Sequence, residues 1–145
     1  MRDVAQAAIA NLDRWSRGGP PPPPSAALEL GPTEPLTDAV GNTRGGVRLA
    51  QLEAPLARYG APPNGACAGL SPYRLERRAP LSAAELARLY PGGRDEQVSR
   101  FKAALDRLVR DRYLLAADAE AELARDRKAA AEAWPLPGEG LGSSD

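Results

Sequence analysis

The sequence predicts a mainly α-helical chain, with about four helices, one long irregular segment and at most two short strands. Apolar residues recur at helical spacing near both ends, over residues 4–15 and again over 82–133. Between them, residues 18–81 are broken repeatedly by proline and glycine, of which the chain holds 15 and 14. Large core formers are scarce: aromatics are 5% of the chain, and much of its 43% apolar content is alanine. A chain of 145 residues fits one small domain, and this composition supports only a modest core.

The first helix is read from Val4, Ala8, Leu12 and Trp15, with Ala5 and Ile9 beside them. Arg2, Gln6, Asn11, Asp13 and Arg14 lie mostly elsewhere on its wheel. A lone helix this short is marginal in water, so its apolar face is expected to need a partner. Gly18-Gly19 ends it, and Pro20 to Pro24 follow in polyproline II geometry. That run lacks the flanking arginine pattern of an SH3 ligand and reads as a stiff connector.

Two short extended pieces are expected next, at Leu28–Leu30 and Val47–Leu49. Gly41-Asn42 and Gly45-Gly46 are turn signals around them. So long a stretch without periodicity is unusual in an isolated domain, and it reads as a belt laid across a larger body. At Ser82-Ala83-Ala84-Glu85 the sequence carries a capping box, followed by the apolar face of Leu86, Leu89 and Tyr90. Pro91-Gly92-Gly93 stops that helix. The next is expected from Asp95 to Arg110, with Val98, Phe101, Leu105, Leu108 and Val109 as its stripe, read as ordinary core packing. Tyr113, Leu114 and Leu115 form an apolar hinge. A last helix is expected over Ala117–Ala133, ended by Pro135; with Leu123 as its one large apolar residue before Trp134, it is expected to be peripheral. The tail is expected to be disordered.

Composition excludes several functions. The chain has no histidine, so it cannot by itself assemble Ser-His-Asp or Cys-His machinery. With 19 basic and 19 acidic residues the net charge is zero, which argues against nucleic acid or an anionic membrane as partner. No apolar run approaches the ~20 residues of a transmembrane helix. Met1-Arg2-Asp3-Val4 leads into no apolar signal-peptide core, so a cytoplasmic location is the default expectation. The single cysteine, Cys67, cannot form an internal disulfide and leaves the redox compartment open.

Four clusters could carry chemistry. Gly65-Ala66-Cys67-Ala68-Gly69 has the form of a nucleophile elbow, but the strand before and the helix after are missing, so Cys67 reads as a small packed or turn residue. Arg44-Gly45-Gly46-Val47-Arg48 could bind an anion, yet it lacks phosphate-loop spacing and reads as a turn. Asp118, Glu120, Glu122 and Asp126 alternate with Arg125, Arg127 and Lys128, a pattern of a solvated helix face without metal-ligand spacing. Arg74, Arg77 and Arg78, beside Tyr73, could grip a phosphate or carboxylate and read as solvated loop charge.

The order of segments carries a resemblance. Asn11-Leu12-Asp13-Arg14-Trp15 and Arg17-Gly18-Gly19-Pro20-Pro21-Pro22 come first. Gly41-Asn42-Thr43-Arg44-Gly45-Gly46-Val47-Arg48 and Ala54-Pro55-Leu56-Ala57 follow. Leu86-Ala87-Arg88-Leu89-Tyr90-Pro91 leads to Leu105-Asp106-Arg107-Leu108-Val109 and Tyr113-Leu114-Leu115-Ala116-Ala117-Asp118-Ala119. Over about residues 4–133 the chain resembles the C-terminal part of the bacterial family described as "alpha/beta hydrolase domain". The resemblance implies an α/β-hydrolase fold with a C-terminal helical extension, in serine hydrolases acting on esters or related acyl groups. In that fold the triad runs Ser, then Asp or Glu, then His, with the serine on a Gly-x-Ser-x-Gly elbow. None of these motifs is matched here, so no catalytic, cofactor-binding or metal residue is assigned and no cofactor is expected.

The resulting expectation is four segments: 1–17, resembling the last helix of the hydrolase core; 18–81, the irregular belt; 82–134, a helical extension; and 135–145, the tail. The chain is expected to be a fragment, inactive alone, whose partner is a missing N-terminal hydrolase core. A small-molecule ester would then be the substrate of the full-length parent alone. The alternative expectation is a non-catalytic helical interaction module with a proline-rich linker.

Overall fold

Five helices and two short strands form in the computed structural model, which describes residues 2–60 and 77–134. In chain order they are α1 (Arg2–Ser16), α2 (Ala50–Glu53), β1 (Ala57–Gly60), β2 (Arg77–Pro80), α3 (Ala83–Leu89), α4 (Gly93–Arg110) and α5 (Ala116–Ala133). Cys67, Tyr73, Arg74 and the tail 135–145 lie outside the described residues. The mainly helical class expected from the sequence is what folds. The belt adds the single turn of α2 to the four expected helices.

α3 starts where its capping box places it. Ser82 Oγ accepts from the Glu85 amide at 3.3 Å, and Glu85 Oε2 accepts from the Ser82 amide at 2.8 Å. α4 opens on Asp95 and Glu96 and closes on Arg107 and Arg110, charges that oppose the helix dipole at both ends. Glu96 Oε2 also accepts from the Gly92 amide at 2.7 Å. The corner after α4 needs Arg112 in the left-handed region, at φ 64°.

The core has two halves. α2 with its capping residue Ala54, and α4, supply Ala50, Ala54, Phe101, Ala104, Leu105 and Leu108 to the first, which Leu114 completes. Val40, Leu56, Leu81, Leu86, Tyr90 and Ala130 make the second. Within it, Tyr90 meets Trp134 edge to face, with ring centroids 5.9 Å apart.

α5 is not peripheral, contrary to the expectation from its composition. It packs along α4, fully burying Ala130, while Leu123 joins one half of the core and Ala129, Ala133 and Trp134 join the other. The physical reason is that alanines let two helix axes approach closely, so burial does not require large side chains.

The strands also fall elsewhere. Leu28 and Leu30 make only isolated bridges, to Gly45 and Pro35, and Val47–Leu49 forms no strand: Val47 lies in a bend and Leu49 enters α2 in an extended conformation. The paired strands are β1 and β2, antiparallel, with Ala57 opposite Pro80 and Tyr59 opposite Arg78. β1 alternates only over Ala57, Arg58 and Tyr59, and β2 does not alternate; distant contacts select them. One such contact is Asn42, fully buried, whose Oδ1 accepts from the Tyr59 amide at 2.8 Å.

α1 meets the body through Ala7 and Asn11, not through its apolar stripe. Asn11 Nδ2 donates to the Arg112 carbonyl at 2.8 Å, and Asp3 pairs with Arg125 at 3.5 Å. Ile9, Leu12 and Trp15 stay 67%, 53% and 54% exposed.

Candidate functional site

The clusters singled out in the sequence separate in space. Gly45 and Gly46 form a turn with positive φ, and a Cβ on Gly45 would stand 2.6 Å from the Glu29 amide nitrogen, so glycine is required there. The flanking arginines are taken by carboxylates. Arg44 pairs with Glu29 at 2.8 Å, and Arg48 pairs with Asp38 at 2.8 Å and Glu53 at 2.6 Å. Burial pushes the Asp38 carboxyl up, but bonds from Arg48 and from the Asn42 and Val40 amides outweigh it and hold the carboxyl below its ordinary range. This segment is therefore a turn braced by ion pairs, as the sequence reading expects. Of the basic cluster, Arg77 and Arg78 lie in β2, whose Arg78 faces a cavity described next.

The acidic residues of α5 differ most from expectation. Instead of a solvated face, Glu122 and Asp126 line a cavity of about 260 Å³ under α2 and α4 and beside the β1–β2 pair. Gln51, Tyr59, Arg78 and Phe101 form other parts of its wall. Glu122 is fully engaged: its Oε2 accepts from Gln51 at 2.7 Å and its Oε1 from Arg125 at 2.7 Å. Asp126, four residues on, is 8% exposed. Its Oδ1 accepts from Gln97 Nε2 at 3.2 Å, and the same Nε2 donates to the Ala54 carbonyl at 3.1 Å. Burial, reinforced by the charge of Glu122, pushes the Asp126 pKa up to about 6 against the opposing bond from Gln97.

Gln97 breaks the apolar stripe of α4, yet its position carries a signal. Positions 97, 101, 104, 105 and 108 continue one inward stripe of α4, so Gln97 occupies the core-facing place one turn before Phe101. Asp126 likewise shares a face with Leu123 and Ala130. Charge alternation along α5 pointed to solvent; position on the helix wheel pointed to the core, and the core prevails.

Chemically, this arrangement can hold and release a proton. It offers no nucleophile–base pair, and the chain has no histidine to act as base. Among the described residues no group of His, Cys, Asp and Glu side chains is placed to hold a metal ion. No helix among them is long and apolar enough to cross a membrane.

A family model described as "Alpha/beta hydrolase domain" matches residues 1–124, and the chain belongs to that family. No curated protein and no solved structure matches it.

Proposed function

We propose that this chain is the C-terminal, non-catalytic portion of an α/β-hydrolase-domain protein whose full-length form cleaves esters or related acyl bonds. The observation that carries this reading is the exposed apolar face of α1, Ala5, Ala8, Ile9, Leu12 and Trp15, in a family member that lacks histidine. These residues share one helix face at i, i+3, i+4 and i+7 spacing, which is the pattern of a helix meant to be covered. The occupant is the hydrolase core, which would carry the serine elbow and the histidine. The belt supports the reading over a free linker: Tyr113 Oη donates to the Pro24 carbonyl at 2.6 Å, so the proline run ends against the helices.

Two measurements test it. The chain alone should hydrolyse p-nitrophenyl acetate no faster than buffer, and no serine-directed fluorophosphonate should label it. Titrated with a hydrolase core of this family, the Trp134→Phe variant should show a blue shift of Trp15 fluorescence, and Leu12→Arg should abolish it. Ester turnover by the chain alone, or a Trp15 signal indifferent to the core, defeats the proposal.

A further inference from the structure

Two buried oxygen atoms in the α4–α5 interface have no hydrogen-bond partner: Asp126 Oδ2 and Gln97 Oε1. They belong to planar groups already joined on their other side by Gln97 Nε2 and Asp126 Oδ1. The orientation of Gln97 is settled, because its Nε2 donates to both the Ala54 carbonyl and Asp126. A carboxylate would therefore leave two buried acceptors on this bonded pair, each without a donor, in a site withdrawn from water. One proton on Asp126 Oδ2 would supply the missing donor, and given to Gln97 Oε1 it would close a ring of two hydrogen bonds with the Gln97 Nε2–Asp126 Oδ1 bond. We propose that Asp126 and Gln97 form a proton-dependent latch, in which the folded chain holds Asp126 as the neutral acid and loss of its proton loosens α5 from α2 and α4.

Burial first, and then the charge of Glu122, favour the neutral form. On α5, the anionic Glu122 stands one turn before Asp126 and is itself held by Arg125 and Gln51. Arg125 also reaches Asp3 of α1. Just after α2, the Ala54 carbonyl is an acceptor already served by Gln97, and Gln51 of α2 is bonded to Glu122. Tyr90, after α3, feels Asp126 as a nearby charge; Tyr59 and Arg78 face the same cavity from the strand pair. Asp126 takes part in no ion pair among the described residues. A buried acid with this surrounding keeps its proton to near pH 6, against 3.8 for a free side chain, a roughly hundredfold tighter hold. Because the folded value lies above the unfolded one, this contribution is whole below about pH 4 and is lost as pH rises through about 6. The chain has no histidine, so no ordinary side chain masks that window.

The test uses the intact chain labelled with carbon-13 aspartate. The Asp126 carboxyl signal should titrate near pH 6, and the melting temperature should fall by several degrees between pH 5 and 7.5. Asp126→Asn supplies a permanent N–H where the acid O–H stood, so its melting temperature should be flat over that range. Amide exchange across Gln97–Leu108 and Glu122–Ala130, corrected for the intrinsic rate, should quicken with pH in the parent chain only. An Asp126 midpoint at an ordinary carboxylate value, or an Asn variant that keeps the parent's slope, overturns the latch. Should that variant fail to fold, the carboxyl titration of the unmodified chain decides alone.

Discussion

Tyr90 joins the belt to the helices, and changing it separates two kinds of stabilisation. The residue is 2% exposed; its Oη donates to the buried Pro55 carbonyl at 3.0 Å, and burial pushes its phenol well above the ordinary value. The ring also meets Trp134 edge to face and carries the Arg100 guanidinium 5.5 Å from its centroid. Tyr90→Phe keeps the ring and deletes the donor, leaving the Pro55 carbonyl buried and unpaired. That should cost about 1–2 kcal/mol, the usual loss for a buried acceptor that loses its partner. Tyr90→Ala deletes the ring as well, for about 3–5 kcal/mol from lost burial and the cavity left behind. A domain of this size is stable by about 5–15 kcal/mol, so the alanine variant should sit near the edge of folding and the phenylalanine variant well inside it. Urea unfolding followed by circular dichroism reads both, and with a slope of roughly 1.5 kcal/mol/M the phenylalanine change moves the midpoint by about 1 M. A phenylalanine variant within about 0.3 kcal/mol of the parent would show that Pro55 is not held by this bond. One as damaged as the alanine variant would show that the ring contributes nothing of its own.

Ser82→Ala removes the cap of α3 and should cost about 1 kcal/mol in the same urea assay. Glu85, whose carboxyl is lowered to about 2 by the Ser82 amide, the Ser82 hydroxyl and Arg58, contributes stability that is present above about pH 4.5 and lost as pH falls toward 2; Glu85→Gln should flatten an acid melt over that range. Asn42→Ala leaves the Tyr59 amide without its acceptor and should cost about 1–3 kcal/mol, read by thermal denaturation. Arg112→Gly places a permissive residue at φ 64° and should raise stability by roughly 0.5–1 kcal/mol; a lower melting temperature would refute the strain assigned there.

Local chemistry made some elements readable in advance. The capping box and the Phe101–Leu108 stripe mark α3 and α4 because a cap bond and a helical repeat involve residues within a few positions of one another. The last helix was readable as a helix but not as a core element, since its alanines bury area only once α4 lies beside them. The strand pair was not readable at all. Leu28 and Val47 have better strand propensity than Arg58 or Arg78, and the backbone nevertheless pairs where Leu56, Leu81 and Asn42 hold it.

The candidate proton site divides the same way. Its histidine-free setting, which removes triad chemistry and empties the pH 5–8 window of ordinary titration, is a property of composition and needs no fold. Which carboxylate becomes an acid is a tertiary matter. Glu122 and Asp126 are both carboxyl groups on one helix, four residues apart; the first is bonded to Gln51 and Arg125, while burial beside Gln97 raises the second to about 6. The family, the helices and the absence of histidine are thus carried by the residues alone. The unpartnered side of α1 and the protonation of Asp126 are decided by what the folded chain brings near them, because burial and desolvation act through space and not along the sequence.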